Sequence, residues 1–169
     1  MAPGSLAGGV TIRPLVPADY LDVNTCCNEL APMIPDLEEK MTSGKVTGLV
    51  ACDEMGLAVG AVVGMLDVDA SLTGNPIPLP CLRLLFVEVN SRYRGTGVGK
   101  LLMEKFIQHQ KSKNIACITT TLFKNYKDGS AFLEKHGFHT EKIDRNKISL
   151  KLNLWSDFGV IDVPDDDLS

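Results

Sequence analysis

The chain of 169 residues is 44% hydrophobic and 22% charged, which is enough apolar material for one core and excludes a disordered polyelectrolyte. Its net charge of −4 misleads, because residues 156–169 hold five acids (Asp157, Asp162, Asp165, Asp166, Asp167) and no base, leaving 17 basic against 16 acidic residues elsewhere. That balance argues against a nucleic-acid-binding protein, although Arg92, Arg94, Lys100, Lys105, Lys111 and Lys113 face a single acid, Glu104, and so form a local basic patch suited to a small polyanion.

Residues 1–9 are rich in Gly, Pro and Ala. With no basic start and no apolar block they read as a flexible arm or an expression scar, not a secretory leader. Val10 to Arg13 is a first strand, ended by Pro14. Pro17-Ala18-Asp19 opens a helical stretch with Tyr20, Leu21, Val23, Leu30 and Met33 on one face; Pro32 and Pro35 break it, and a short helix over 36–42 follows. Leu49 to Glu54 and Leu57 to Val68 are strands joined at Met55-Gly56. The run Leu57 to Leu66 is the longest nearly apolar one and is too short to span a bilayer, so no membrane partner is expected.

Asp69 to Pro80 is a proline-rich loop. Cys81 to Val89 is almost continuously apolar and reads as a central strand buried on both faces. Val98 to Lys113 is the clearest helix, with Val98, Leu101, Leu102, Phe106 and Ile107 on one side. Ile115 to Leu122 is a strand, Lys127 to His136 a helix capped by Gly137, and Phe138 to Ile143 and Lys147 to Leu154 the last two strands. The order β, α, α, β, β, β, α, β, α, β, β defines one mixed α/β domain over 10–155, followed by the acidic tail 156–169. The five cysteines (Cys26, Cys27, Cys52, Cys81, Cys117) are odd in number and lack C-x-x-C spacing. A zinc site or disulfide scaffold is not expected, and a reducing, cytoplasmic location is. His109, His136 and His139 are scattered and suggest no metal.

The chemistry-bearing segment is the join between the fourth strand and the long helix, Val89-Asn90-Ser91-Arg92-Tyr93-Arg94-Gly95-Thr96-Gly97-Val98-Gly99-Lys100. Three glycines at alternate positions let the backbone approach a ligand and take positive φ. The first N–H groups of the following helix lack internal partners and, with the helix dipole, favour phosphate. Arg94 and Lys100 add positive charge. The dinucleotide fingerprint fails at Lys100, and the P-loop fails at Arg94 and Leu101.

Arg94-Gly95-Thr96-Gly97-Val98-Gly99 resembles the [RQ]-x-x-G-x-[GA] pyrophosphate-binding signature of the GNAT acetyltransferase superfamily. Leu133-Glu134-Lys135-His136-Gly137-Phe138 is similar to the Y-E-K-x-G-F part of its A-x-x-Y-E-K-x-G-F segment, with Ala131 one place late for the leading alanine. Over Val89 to Gly95 there is a local similarity to glucosamine-6-phosphate N-acetyltransferases. The resemblance covers about Val10 to Leu154. It implies a mixed, largely antiparallel sheet flanked by helices, with strands 4 and 5 parallel and splayed.

The resemblance also implies acetyl transfer from acetyl-CoA to an amine. The diphosphate would lie on the amides of Arg94, Gly95, Thr96, Gly97, Val98, Gly99 and Lys100, and the pantetheine arm along Phe86, Val87 and Val89. The Val89 N–H would hold the oxyanion. The family's tyrosine general acid falls on Leu133, which donates no proton; Tyr126 is the nearby substitute, or else a surface tyrosine. The family's asparagine falls on Asp128, a good N-cap residue and candidate CoA contact, with Asn125 as rival. Glu88, an acid in an apolar strand, is the candidate base; the alternative is that it faces solvent or pairs with Arg83 or Arg92. Asp67 and Asp69 could steer a cationic amine, and Cys81 and Cys117 could carry an acyl group but read more simply as buried structural residues. The expected acceptor is a small amine. The rivals are a protein N-terminus or lysine as acceptor, and a non-catalytic acyl-CoA-binding module. Members of the superfamily often form homodimers.

Overall fold

The computed structural model describes residues 9–69 and 79–155. The predicted N-terminal arm, acidic tail and most of the proline-rich loop lie outside the described residues. The elements are β1 (Thr11–Pro14), α1 (Tyr20–Cys26), α2 (Leu37–Thr42), β2 (Val46–Cys52), β3 (Ala58–Asp69), β4 (Leu79–Val89), α3 (Val98–Ser112), β5 (Cys117–Phe123), α4 (Lys127–Lys135), β6 (His139–Ile143) and β7 (Lys147–Asn153). Their order is the expected one. They group into two compact units, one up to Leu66 together with Arg83–His109, the other Asp67–Leu82 with residues from Gln110 onward. Strand β4 contributes to both.

In the first unit the strands hydrogen-bond in the order β1, β2, β3, β4. Antiparallel registers pair Thr11 with Cys52 and Leu49 with Val62, and a β-bulge falls at Ala51/Cys52. Alternation decides the two faces. Val50, Cys52, Ala61, Val63 and Phe86 share one face and pack on Val23, Cys26, Cys27 and Ala31 from α1 and its sequel and on Leu37 and Met41 of α2. On the other face a Cβ at Gly60 would meet Leu102 of α3 at 3.3 Å and the Glu88 carbonyl at 3.0 Å. The bare glycine is what lets β3 come this close to the end of β4. Asp19, 6% exposed, joins β1 to the start of α1. It accepts two bonds from Arg13 (2.9 and 2.6 Å) and one from the Val16 N–H (2.8 Å), and the Arg13 bonds hold its carboxyl below the ordinary range.

Two expectations need correction here. Strand β4 is not buried equally on both faces: Leu84, Phe86 and Glu88 are buried, whereas Leu85, Val87 and Val89 are only half-buried. The helical stretch after Pro17 stops as an α-helix at Cys26, well before Pro32, because Cys27 leaves helical geometry (φ −100, ψ 56). A 3-10 turn over Ala31–Met33 follows. In the bridging segment, residues 27–30, the Cys27 N–H still donates to the Val23 carbonyl, but the Glu29 and Leu30 amides serve partners outside the helix.

In the second unit the first residues of β4 lie beside β5, then β7, then β6. The Ala116 N–H donates to the Pro80 carbonyl at 2.8 Å, so strands β4 and β5 start side by side and run parallel. β5 and β7 pair antiparallel, as do β6 and β7. Gly137 (φ +97) ends α4 as predicted, with its N–H donating to the Glu134 carbonyl. β6 carries a bulge between Thr140 and Lys142, so Glu141 has no cross-strand partner. Glu141 instead reaches the ammonium of Lys151, buried on β7, at 3.3 Å. Cys81 and Cys117 form a disulfide across β4 and β5, with Cα atoms 5.0 Å apart, where the sequence alone suggested unpaired thiols. Facing positions on adjacent strands bring the sulfurs together, which spacing along the chain does not reveal. Cys26, Cys27 and Cys52 are free and buried.

Helix α3 buries Val98, Leu102, Met103 and Phe106 completely, each worth about 1.5–3 kcal/mol of burial. The same stripe continues to Gln110, which is 1% exposed and whose side-chain amide has no partner at either end among the described residues. An unsatisfied buried amide costs about 1–3 kcal/mol. We therefore expect Gln110→Leu to stabilise the protein by about 1–2 kcal/mol, read as a higher urea midpoint at unchanged slope; equal or lower stability would mean that the amide has a partner in solution.

Candidate active site

The end of β4 is fixed by Asn90. Its N–H donates to the Val59 carbonyl of β3 at 2.7 Å, its Nδ2 donates to the Cys26 carbonyl of α1 at 3.3 Å, and its Oδ1 accepts from the Arg92 N–H at 3.2 Å. That last bond caps a 3-10 turn over Ser91–Tyr93. The chain then passes through Gly95 (φ +80) and Gly97 (φ +91), a conformation that residues with a side chain rarely adopt. Thr96 stays in the turn by donating its hydroxyl to the Tyr93 carbonyl.

The Leu101 N–H donates to the Gly97 carbonyl at 3.0 Å, so α3 opens at Gly97. Its first-turn amides then have no intrahelical acceptor. Residues 94–97 and Lys100 are exposed, Gly99 is half-buried, and Val98 is fully buried and anchors the turn. The first turn of α3 contains no acidic residue. Outward amides, a helix dipole, Arg94 and Lys100 form a cradle for a diphosphate, and the implied acetyl-CoA fits this donor set.

Directly before the turn lies Glu88, 6% exposed. Its Oε1 accepts from the Leu30 N–H at 2.7 Å and its Oε2 from the Glu29 N–H at 3.1 Å. Burial pushes the carboxyl above its ordinary value, and the two N–H bonds and the Arg94 charge oppose that shift. Arg94 Nη2 lies 3.8 Å from Glu88 Oε2 and 2.7 Å from Glu29 Oε2, and its Nε donates to the Val89 carbonyl at 3.2 Å. Glu88 thus neither faces solvent nor pairs with Arg83 or Arg92; its cation is Arg94. The Cys27 thiol donates to the Glu88 carbonyl at 3.5 Å. Its hydrogen bond with Cys26, followed by burial, raises the Cys27 pKa, which keeps it a donor.

The Phe86 side chain belongs to the core, leaving only its main chain for a ligand, while Val87 and Val89 are half-buried. Tyr126, 41% exposed, occupies the N-cap position of α4 with its ring over Gly129. Asp128 is therefore not the N-cap. It lies two residues further in, within the first turn, where its charge still complements the helix dipole. Leu133 is buried, 2% exposed. Asp67 is exposed, and the Asp69 side chain lies outside the described residues. Among the described residues no group of three or more His, Cys, Asp or Glu could hold a metal, and no helix is long and apolar enough to cross a membrane. Glu29, Leu30 and Cys27 were not legible as site residues, because their roles use main-chain or thiol donors supplied from far away in sequence.

The acetyltransferase (GNAT) domain family matches residues 45–140, more than half of the chain. The chain therefore belongs to this family, and its enzyme class is acetyltransferase. No curated protein sequence matches. Among solved structures, the GNAT family N-acetyltransferase YhbS from Escherichia coli, in complex with CoA, is 21% identical, with a TM-score of 0.71 over 93% of this chain and 86% of that one. PaiA N-acetyltransferase from Thermoplasma acidophilum, in complex with coenzyme A, is 16% identical, with a TM-score of 0.67 over 86% and 99%. The ribosomal-protein-S18-alanine N-acetyltransferase of Escherichia coli is 16% identical, with a TM-score of 0.69 over 86% and 94%. At these identities the likeness establishes the shared fold.

Proposed function

We propose that the protein transfers the acetyl group of acetyl-CoA to a primary amine of a small molecule by direct attack of the neutral amine on the thioester. The observation that carries this is the cradle over 94–100, with Gly95 and Gly97 at positive φ, next to a buried carboxylate at Glu88. Acetyl-CoA supplies the activated acyl group. The amides of Gly95 and of residues 97–100 hold its diphosphate, whereas those of Arg94 and Thr96, also expected there, already donate to the Ser91 and Tyr93 carbonyls at 3.4 and 3.3 Å; the main-chain edge of β4 at Val87 and Val89 pairs with its amide-bearing arm. The Val89 N–H donates to the developing oxyanion. Glu88 takes the proton from the amine, directly or through water. Tyr126 is the candidate proton donor to the departing thiolate, and Asp128 a polar contact for the cofactor. A homodimer completes the reading; the Cys81–Cys117 disulfide speaks against the reducing, cytoplasmic location expected from the cysteine pattern.

Two other readings each rest on one observation. The fold shared with the ribosomal-protein-S18-alanine enzyme favours a protein N-terminus as acceptor. Buried Leu133 at the family's tyrosine position favours an acyl-CoA-binding module without turnover.

Free-thiol release from acetyl-CoA, measured against a panel of small amines and of peptides, separates the three. We expect release with small amines. Release with peptides alone would establish the protein acceptor, and CoA binding without release on any amine would establish the module.

A further inference from the structure

We infer that Glu29 is a positioning residue that competes with the cofactor diphosphate for Arg94 and thereby links cofactor binding to the state of Glu88. The inference rests on the cradle at 94–100 being the diphosphate site. Three groups close a ring. The Glu29 N–H donates to Glu88 Oε2 at 3.1 Å, Arg94 Nη2 lies 3.8 Å from that same oxygen, and Arg94 Nη2 donates to Glu29 Oε2 at 2.7 Å. One residue thus supplies both the amide that holds the candidate base and the carboxylate that holds the candidate anion-binding arginine.

The ring sits on fixed supports. The Leu30 N–H holds Glu88 Oε1 at 2.7 Å, the Cys27 thiol bonds the Glu88 carbonyl, and Asn90 Nδ2 bonds the Cys26 carbonyl. Segment 26–30 is therefore tied to the end of β4 at several points. Only the Glu29–Arg94 link is exposed on both sides, with side-chain exposures of 60% and 49%, and it is the contact an incoming anion can reach. Arg94 Nε remains on the Val89 carbonyl at 3.2 Å, so the guanidinium can turn toward a diphosphate without losing its anchor. A diphosphate concentrates more negative charge than one carboxylate, and arginine suits it as a forked donor.

The charged and titratable groups at Glu88 are Arg94 from the turn, Glu29 from the bridging segment, and the thiols of Cys26 and Cys27 from the end of α1. Of these, Glu29 is the one that opposes ionisation of Glu88 and occupies its cation at the same time.

Glu29→Gln removes the competitor but keeps the backbone N–H. The exposed pair is worth little, so CoA should bind about two- to five-fold tighter by calorimetry. The acid limb of the pH–rate profile should move to lower pH, because Glu88 loses a neighbouring like charge. Glu29→Asp, which keeps the charge, should stay near wild type in both measurements. An unchanged dissociation constant, or an acid limb that does not move, overturns the role of Glu29 while leaving the cradle standing. Failure of the wild-type protein to bind CoA overturns the cradle and Glu29's role with it.

Discussion

Arg94→Glu should abolish CoA binding in any practical concentration range, raising the dissociation constant by about 100-fold or more, equivalent to at least about 2.7 kcal/mol. The substitution does three things at once. It removes the cation from the anion cradle. It sets a third carboxylate beside Glu29 and Glu88, which lie 2.7 and 3.8 Å from the present guanidinium. It also deletes the bond to the Val89 carbonyl. Because the Arg94 side chain is half exposed, the fold should survive, and an unchanged thermal melt is the control. Gly97→Trp tests the same cradle through the backbone. At φ +91 a side chain adds about 1–2 kcal/mol of strain, and the indole occupies the approach to the amides. Calorimetric titration with CoA reads both variants. Wild-type affinity in either folded variant would take the turn out of the binding site.

Glu88→Gln should lower kcat by about 100- to 1,000-fold if the carboxylate accepts the amine proton, and should erase the acidic limb of the pH–rate profile. The sign follows from the environment. Burial raises the Glu88 carboxyl above its ordinary range, so wild-type rate falls as pH drops through that raised value, where the protonated group accepts nothing. The glutamine carboxamide has no such transition. It also cannot satisfy both amides: its oxygen can accept from the Leu30 N–H, but its NH2 then confronts the Glu29 N–H. Circular dichroism and a melt should accompany the kinetics. An acid limb that persists at the same pH in the variant would assign that limb to another group and remove Glu88 as the base.

The succession of strands and helices was readable because each periodic run was bounded by a strong punctuation mark. Pro14 ended β1, Gly56 turned the hairpin, and Gly137 closed α4. The anion cradle was readable for a related reason: alternate glycines between an apolar strand and an amphipathic helix encode positive φ and free amides in the letters themselves. The surroundings of Glu88 were not readable. Its partners are the backbone of Glu29 and Leu30, about sixty positions earlier, and a main-chain donor leaves no mark in side-chain spelling. The disulfide failed for the same kind of reason, since register between β4 and β5 places Cys81 opposite Cys117. Asp128 shows a smaller effect: a helix over Lys127 onward puts this good capping letter at its second residue, and the N-cap position falls on Tyr126, which makes no side-chain capping bond.

Strand β6 ends the sheet with all five residues exposed, the kind of open flank along which polypeptides can stack into fibres. The skipped rung at Glu141, flanked by Lys142 and tethered inward to Lys151, denies an incoming strand a continuous row of donors and acceptors. The molecule thereby keeps an unprotected margin without inviting endless addition of further chains.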